Sequence, residues 1–88
     1  MLEAARAAVG QGDLARAALT AHTLQGILGN LGAVRAADAA HEVERAAREG
    51  DLHGARESLH RLEAEIERLV PALAALLESP TDREAAAE

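Results

Sequence analysis

The sequence contains no cysteine, no aromatic residue and no lysine. Without cysteine the chain forms neither a disulfide framework nor a thiolate metal site, so we expect a cytoplasmic protein rather than a secreted one. Without aromatic rings it has no platform on which nucleic-acid bases stack, and its net charge of −6 also argues against nucleic acid as a partner. No segment approaches the roughly 20 apolar residues that a membrane span needs.

The composition favours one small helical domain. The 88 residues leave room for a single core, and hydrophobic residues make up 49% of them. Because aromatic residues are missing, that core must consist of Leu, Ile, Val and Ala, a set in which Ala and Leu strongly favour helix. We predict a helical domain over residues 1–80 and a disordered acidic tail over residues 81–88.

Turn residues divide the chain into helices. A short first helix, Leu2 to Val9, is predicted to end at Gly10-Gln11-Gly12, and Asp13 is a suitable N-cap for the next helix. The second helix is predicted to run to about Leu31. Its inward face is indicated by spacings of three and four residues, at Leu14, Ala17, Ala21, Leu24, Leu28 and Leu31.

The second half of the chain repeats this organisation. Gly32 is predicted to cap the second helix, and a third helix follows over residues 33–49 with a mostly alanine inward face. Gly50-Asp51 then repeats the turn chemistry of Gly12-Asp13. The last helix has the strongest pattern, with apolar residues at heptad spacing: Leu52, Leu59, Ile66 and Leu73, and Ala55, Leu62, Leu69 and Leu76. Pro71 predicts a kink rather than an end, and Ser79-Pro80 predicts the end.

Short turns between amphipathic helices place neighbours antiparallel. We therefore predict an all-α fold, an antiparallel up-down four-helix bundle with a short first helix. Eight or nine residues give that helix only about two and a half turns, which leaves one end of the bundle groove open. A second copy of the chain would fill the opening, so both a monomer and a homodimer are compatible with the sequence.

His22 is the residue best placed for chemistry. Taking the inward face of the second helix as reference, His22 lies roughly 135° away and points to water. Its neighbours on that outer surface carry no charge: Ala18, Leu19, Gln25, Gly26 and Gly29. Glycine within a helix costs about 1 kcal/mol relative to alanine, and close approach of another protein is a physical reason to keep it there. We interpret this surface as a docking patch that includes Leu19.

A neutral imidazole nitrogen is a competent nucleophile toward an activated phosphoryl group. It needs no catalytic partner in its own chain, which agrees with a sequence that has no cysteine and no evident catalytic triad. From the residues alone, a surface histidine without a function remains the alternative.

The segment around His22 resembles a known family. His22-Thr23-Leu24-Gln25-Gly26, followed by Gly32-Ala33, is similar to the phosphoacceptor segment of histidine-containing phosphotransfer (HPt) domains. In that family the pattern is His-x-Leu-Lys-Gly, with Gly-Ala beginning six residues after the first glycine. The resemblance extends through the Gly-Asp turn before it and through residues 46–51 after it, and so covers nearly the whole chain apart from the acidic tail.

The resemblance implies a four-helix bundle in which His22 is phosphorylated on a ring nitrogen. It implies receiver domains of response regulators or hybrid histidine kinases as partners, which donate and accept the phosphoryl group. These partners bring their own aspartate and Mg²⁺, so we expect no cofactor and no autonomous catalysis in this chain. One position departs from the pattern, since Gln25 stands where the family usually has a lysine that helps to hold the phosphoryl group. We predict that phospho-His22 is less stabilised than in lysine-bearing relatives.

Two rival interpretations remain. Glu57 and His60, with Asp38 and His41, have the Glu-x-x-His type of spacing that holds metal ions in some helical bundles, although both pairs fall outside the inward face. The other rival is a helical interaction module that docks receiver domains without transferring phosphate, which the glutamine at position 25 would suit. His41, His53 and His60 otherwise belong to ordinary charged helix surfaces.

Overall fold

The structure, a computed structural model, describes residues 1–78. It contains five helices, α1 (Leu2–Gly10), α2 (Leu14–Asn30), α3 (Val34–Arg48), α4 (Leu52–Glu67) and α5 (Pro71–Glu78). Short turns connect the first four helices in chain order. Each of these helices packs against the next, and α1 also contacts α4, so the four form one bundle. The predicted all-α four-helix bundle is thereby confirmed. Ser79-Pro80, the tail and the side chain of Leu76 lie outside the described residues, so the predictions made for them stay predictions.

The turns on either side of α2 form as their residues predict. Gly12 and Gly32 have φ values of 71° and 75°, in the left-handed region that glycine tolerates best. In each turn the amide of the following residue donates to a carbonyl in the last turn of the preceding helix, Asp13 to Ala8 and Ala33 to Leu28, both at 2.9 Å. The Asp13 carboxylate also accepts a hydrogen bond from the Arg16 amide and so caps α2.

The core is built from small side chains, as the composition predicts. The most extensive helix contact joins α2 and α3, where the inward residues of α3 are mostly alanine and let the two backbones approach closely. The largest fully buried side chains are Leu2, Leu24, Leu28, Val43, Leu62 and Ile66. The prediction for Leu31 was wrong, since this residue is half exposed. Helix α2 ends at Asn30, so Leu31 is its C-cap and leaves the inward face.

The prediction of a kink at Pro71 was also wrong, because the helix stops. Helix α4 ends at Glu67, and Pro71 is the first residue of α5. Proline has no amide hydrogen to donate to the Glu67 carbonyl, and its ring disfavours helical geometry at Val70. At the first position of a new helix the missing amide costs nothing.

Helix α1 is short, as predicted, and ion pairs link it to α4 and α5. Arg6 of α1 contacts the carboxylates of Glu63 in α4 and Glu78 in α5. Helix α5 contacts both α1 and α4. None of the helices in residues 1–78 combines the length and the apolar character that crossing a membrane requires.

Candidate phosphoacceptor site

His22 lies in the middle of α2 with 66% of its side chain exposed. The residues that anchor this part of the helix, Ala21 and Leu24, are completely buried on the opposite side. The outward direction of His22 predicted from helical periodicity agrees with the structure. Its backbone is fixed by the α2–α3 packing, so the imidazole projects from a rigid element.

The sequence predicted an uncharged surface around His22, and this prediction was wrong because α3 contributes a carboxylate. Nδ1 of His22 lies 3.2 Å from both carboxylate oxygens of Glu44, Oε1 and Oε2. Within residues 1–78, Glu44 is the one charged residue that is buried. The sequence prediction considered only the neighbours of His22 along α2 and missed a partner from the adjacent helix.

Arg48 completes a row of three interacting side chains. Its Nε and Nη2 atoms donate to Oε2 of Glu44 at 3.0 and 2.8 Å. Burial alone raises the pKa of the Glu44 carboxyl, but the hydrogen bonds from His22 and Arg48 outweigh burial and hold this pKa below its ordinary value of 4.5. Glu44 is therefore ionised at neutral pH.

The ionised carboxylate determines which nitrogen of His22 carries the proton. A carboxylate without a proton only accepts hydrogen bonds, so Nδ1 must be the donor. In a neutral imidazole the other nitrogen then has the free lone pair. Nε2 is therefore the ring nitrogen whose lone pair is free to bind an electrophile when the imidazole is neutral.

The predicted docking residues fall into two groups. Leu19 is 67% exposed, and Gly26 and Gly29 are exposed with no atom near the position that a Cβ would occupy. Nothing within the described chain thus requires glycine at these two positions. The expectation that Ala18 lies on the outer surface was wrong, since it is only 7% exposed, whereas its part in docking stays a prediction. Helix α3 packs against that flank of α2 and covers it.

Two shallow grooves between α2 and α3 flank the contact between His22 and Glu44. The first has a volume of about 550 Å³ and is largely apolar, lined by Leu14, Ala15, Ala18, Leu19, Ala47 and Arg48. The second, of about 350 Å³, is lined by Gln25, Gly29, Val34, Ala37, Asp38 and His41. Ala18 therefore forms the floor of the first groove rather than an outward-facing surface. Gln25, the residue predicted to support the phosphoryl group, is partly buried beside the second groove.

The rival metal site finds no support in the described residues. In residues 1–78 no three His, Cys, Asp or Glu side chains come together in a way that would hold a metal ion. Glu57 contacts His53 at 2.6 Å, one turn earlier in the same helix. Asp38 lies 3.7 Å from Arg61 of α4. The carboxylates of both predicted pairs thus have other partners.

Comparison with protein families matches residues 1–72 to the Hpt domain. The chain therefore belongs to the Hpt domain family, whose members are helical bundles that carry phosphoryl groups on histidine in phosphorelays and interact with receiver domains. Neither a search of curated proteins nor a search of solved structures finds a significant match to the chain.

Proposed function

We propose that Nε2 of His22 accepts a phosphoryl group from the aspartyl phosphate of one receiver domain and passes it to another. The observation that carries this proposal is the contact between Nδ1 of His22 and the Glu44 carboxylate on an otherwise exposed imidazole. Membership of the Hpt family supplies the reaction class. The contact with Glu44 supports the choice of His22 and of its Nε2 atom.

Bonds and charges balance in this transfer, and no proton moves. The lone pair of Nε2 attacks phosphorus, the bond between phosphorus and the aspartate oxygen breaks, and its electron pair stays on the aspartate as carboxylate. The imidazole ring becomes positively charged, and the Glu44 carboxylate at 3.2 Å offsets that charge. In the onward step the carboxylate of the second receiver attacks phosphorus, the bond between nitrogen and phosphorus breaks, and its electron pair returns to Nε2. Mg²⁺ held by the receiver would neutralise the phosphoryl oxygens in both directions.

The surface around His22 suits a receiver domain. The apolar groove, with exposed Leu19 at its edge, offers area to an apolar helix face of the partner. On the other side, Gly26 and Gly29 leave room for the partner's backbone to approach the imidazole. Together these features would place a receiver aspartate over Nε2.

The proposal is tested with a receiver domain whose aspartate carries ³²P-phosphate. We expect the wild-type chain and a His60→Ala control to take up label, because His60 is exposed on α4, which contributes no residue to the contact between His22 and Glu44. We expect the His22→Ala variant to take up none. Label that persists in His22→Ala refutes the assignment. A wild-type chain that binds the receiver without labelling supports the rival docking module, which Gln25 would favour.

The role of Glu44 is tested separately with Glu44→Gln. This substitution keeps the size of the side chain but removes the charge that offsets the imidazolium, so we expect transfer to slow roughly 10- to 100-fold. Glu42→Gln is the matched control, since Glu42 lies on the same helix and pairs with Arg45 instead. Equal rates for the two variants would contradict the mechanism.

A further inference from the structure

Phosphorylation of His22 would bring an electrostatic problem that Gln25 does not solve. A phosphoryl group adds close to two negative charges at neutral pH, and the Glu44 carboxylate already lies 3.2 Å from the other ring nitrogen. Gln25 donates hydrogen bonds but carries no charge. The imidazolium ring supplies one positive charge, which Glu44 already offsets, so a further cation would stabilise the doubly charged phosphoryl group.

Arg48 is in the right place to supply it. Nδ1 of His22 and Nη2 of Arg48 both contact the same oxygen, Oε2 of Glu44, at 3.2 and 2.8 Å. These two nitrogens are therefore at most about 6 Å apart. The phosphoryl group on Nε2 would lie on the other side of the ring, so the Arg48 side chain must turn to reach it.

Arg48 also has the capacity to make a second contact. A guanidinium group has five N–H donors, and the contacts with Glu44 use Nε and Nη2, which leaves Nη1 unused there. The side chain is 63% exposed and so has freedom to turn toward the imidazole. We propose that Arg48 binds the phosphoryl group of phospho-His22 while it remains paired with Glu44, in place of the lysine that the family usually has at position 25. This proposal builds on the proposed function by naming a further residue of the same site.

Two other side chains serve as comparisons. Arg45 lies on the same helix but is held by Glu42 and Glu49 on the exposed side, with its nearest contacts at 2.7 and 3.1 Å. His41 lines the second groove together with Gln25 and Gly29. Arg45 is therefore the matched control for a lost positive charge, and His41 is the competing candidate for the phosphoryl contact.

The test uses the full chain phosphorylated chemically with phosphoramidate, so that it does not depend on a receiver domain. The phosphorus resonance of phospho-His22 is resolved from those of the other histidines by ¹H–³¹P correlation and followed against pH. A cation that contacts the phosphoryl group favours its doubly charged form, so Arg48→Gln should raise the pKa of the second phosphoryl ionisation by about half a unit. Arg45→Gln should leave this pKa unchanged, and adding Gln25→Lys to Arg48→Gln should lower it again.

If Arg48 had only a structural role, a lysine at position 25 on α2 would not lower the phosphoryl pKa of the Arg48→Gln variant again. The proposal is overturned if Arg48→Gln leaves the phosphoryl pKa where it is in the wild type, or if His41→Gln raises it and Arg48→Gln does not. A chain that takes a phosphoryl group on His60 but never on His22 would overturn the proposed function as well. Phosphorylation of His22 with no effect of Arg48 would overturn this inference alone.

Discussion

Replacing Gly26 with alanine should make the protein more stable and less able to transfer a phosphoryl group. Gly26 is exposed in the interior of α2, and a Cβ built there meets no atom within 4 Å beyond its chain neighbours and the backbone of its own helix. Alanine is therefore accommodated without strain, and it is favoured over glycine in a helix by about 1 kcal/mol. For a domain of this size, that gain corresponds to a rise of about 4–8 °C in melting temperature.

The same methyl group would stand one helical turn from His22, where we propose that the receiver approaches. Overpacking a close interface by one methyl group costs about 1–3 kcal/mol, so we expect the second-order rate constant of transfer to fall roughly ten-fold. Thermal unfolding and transfer from a labelled receiver measure the two effects on the same preparation.

Gly54→Ala is the matched control for this substitution. A Cβ at Gly54 would collide with the Asp51 carboxylate, which caps α4 by accepting a hydrogen bond from the Gly54 amide at 2.9 Å. Loss of that cap costs about as much as the gain in helix propensity, so Gly54→Ala should bring no net stabilisation. A Gly26→Ala variant that is stabilised but transfers at the wild-type rate would refute our explanation of the exposed glycines.

Three further predictions concern stability and the phosphorylated state. Leu28→Ala should lower the free energy of unfolding by about 2–5 kcal/mol because Leu28 is completely buried, whereas Leu19→Ala should change it by less than about 0.5 kcal/mol; urea unfolding measures both. Because the pKa of Glu44 is lower in the folded chain than its ordinary value of 4.5, its contribution to stability is present above that pH and is lost as the pH falls through the folded-state pKa; a Glu44→Gln variant that loses stability in acid as steeply as wild type would argue against this. Gln25→Lys should lengthen the lifetime of phospho-His22 and alter the transfer rate, and a variant with both unchanged would show that the charge at position 25 is unimportant.

The parts of the fold that depend on local chemistry could be predicted from the sequence. The turns at Gly12 and Gly32 need a left-handed backbone and a cap, and both requirements are visible in the residues themselves. The exposure of His22 follows from helical periodicity, because the buried residues of its own helix determine the direction of the others.

The parts that depend on how helices face one another could not be predicted in the same way. Ala18 is buried because α3 packs on its flank of α2, and the periodicity of α2 does not show on which side α3 lies. The break before Pro71 could not be predicted either, since a proline is compatible both with a kinked helix and with the end of one. In the new helix, the carboxylate of Glu78 contacts Arg6 of α1.

Glu44 is the residue that sequence reasoning missed, although the sequence contained a signal for it. Ala40, Val43, Glu44 and Ala47 fall at the spacing of one inward helix face. A carboxylate at such a position requires a partner, since an unpaired buried charge is costly. The sequence thus indicated that Glu44 has a partner, but not that one of its partners is His22.

The most direct test of the central claim is to determine which nitrogen of His22 receives the phosphoryl group from a receiver domain. A ¹H–³¹P correlation distinguishes the two, because Nε2 is bonded to two ring carbons that carry hydrogen and Nδ1 to only one. We predict that phosphorus correlates with both ring protons of His22, as attachment at Nε2 requires. Correlation with a single ring proton would place the phosphoryl group on Nδ1, the nitrogen that faces Glu44, and would contradict the account.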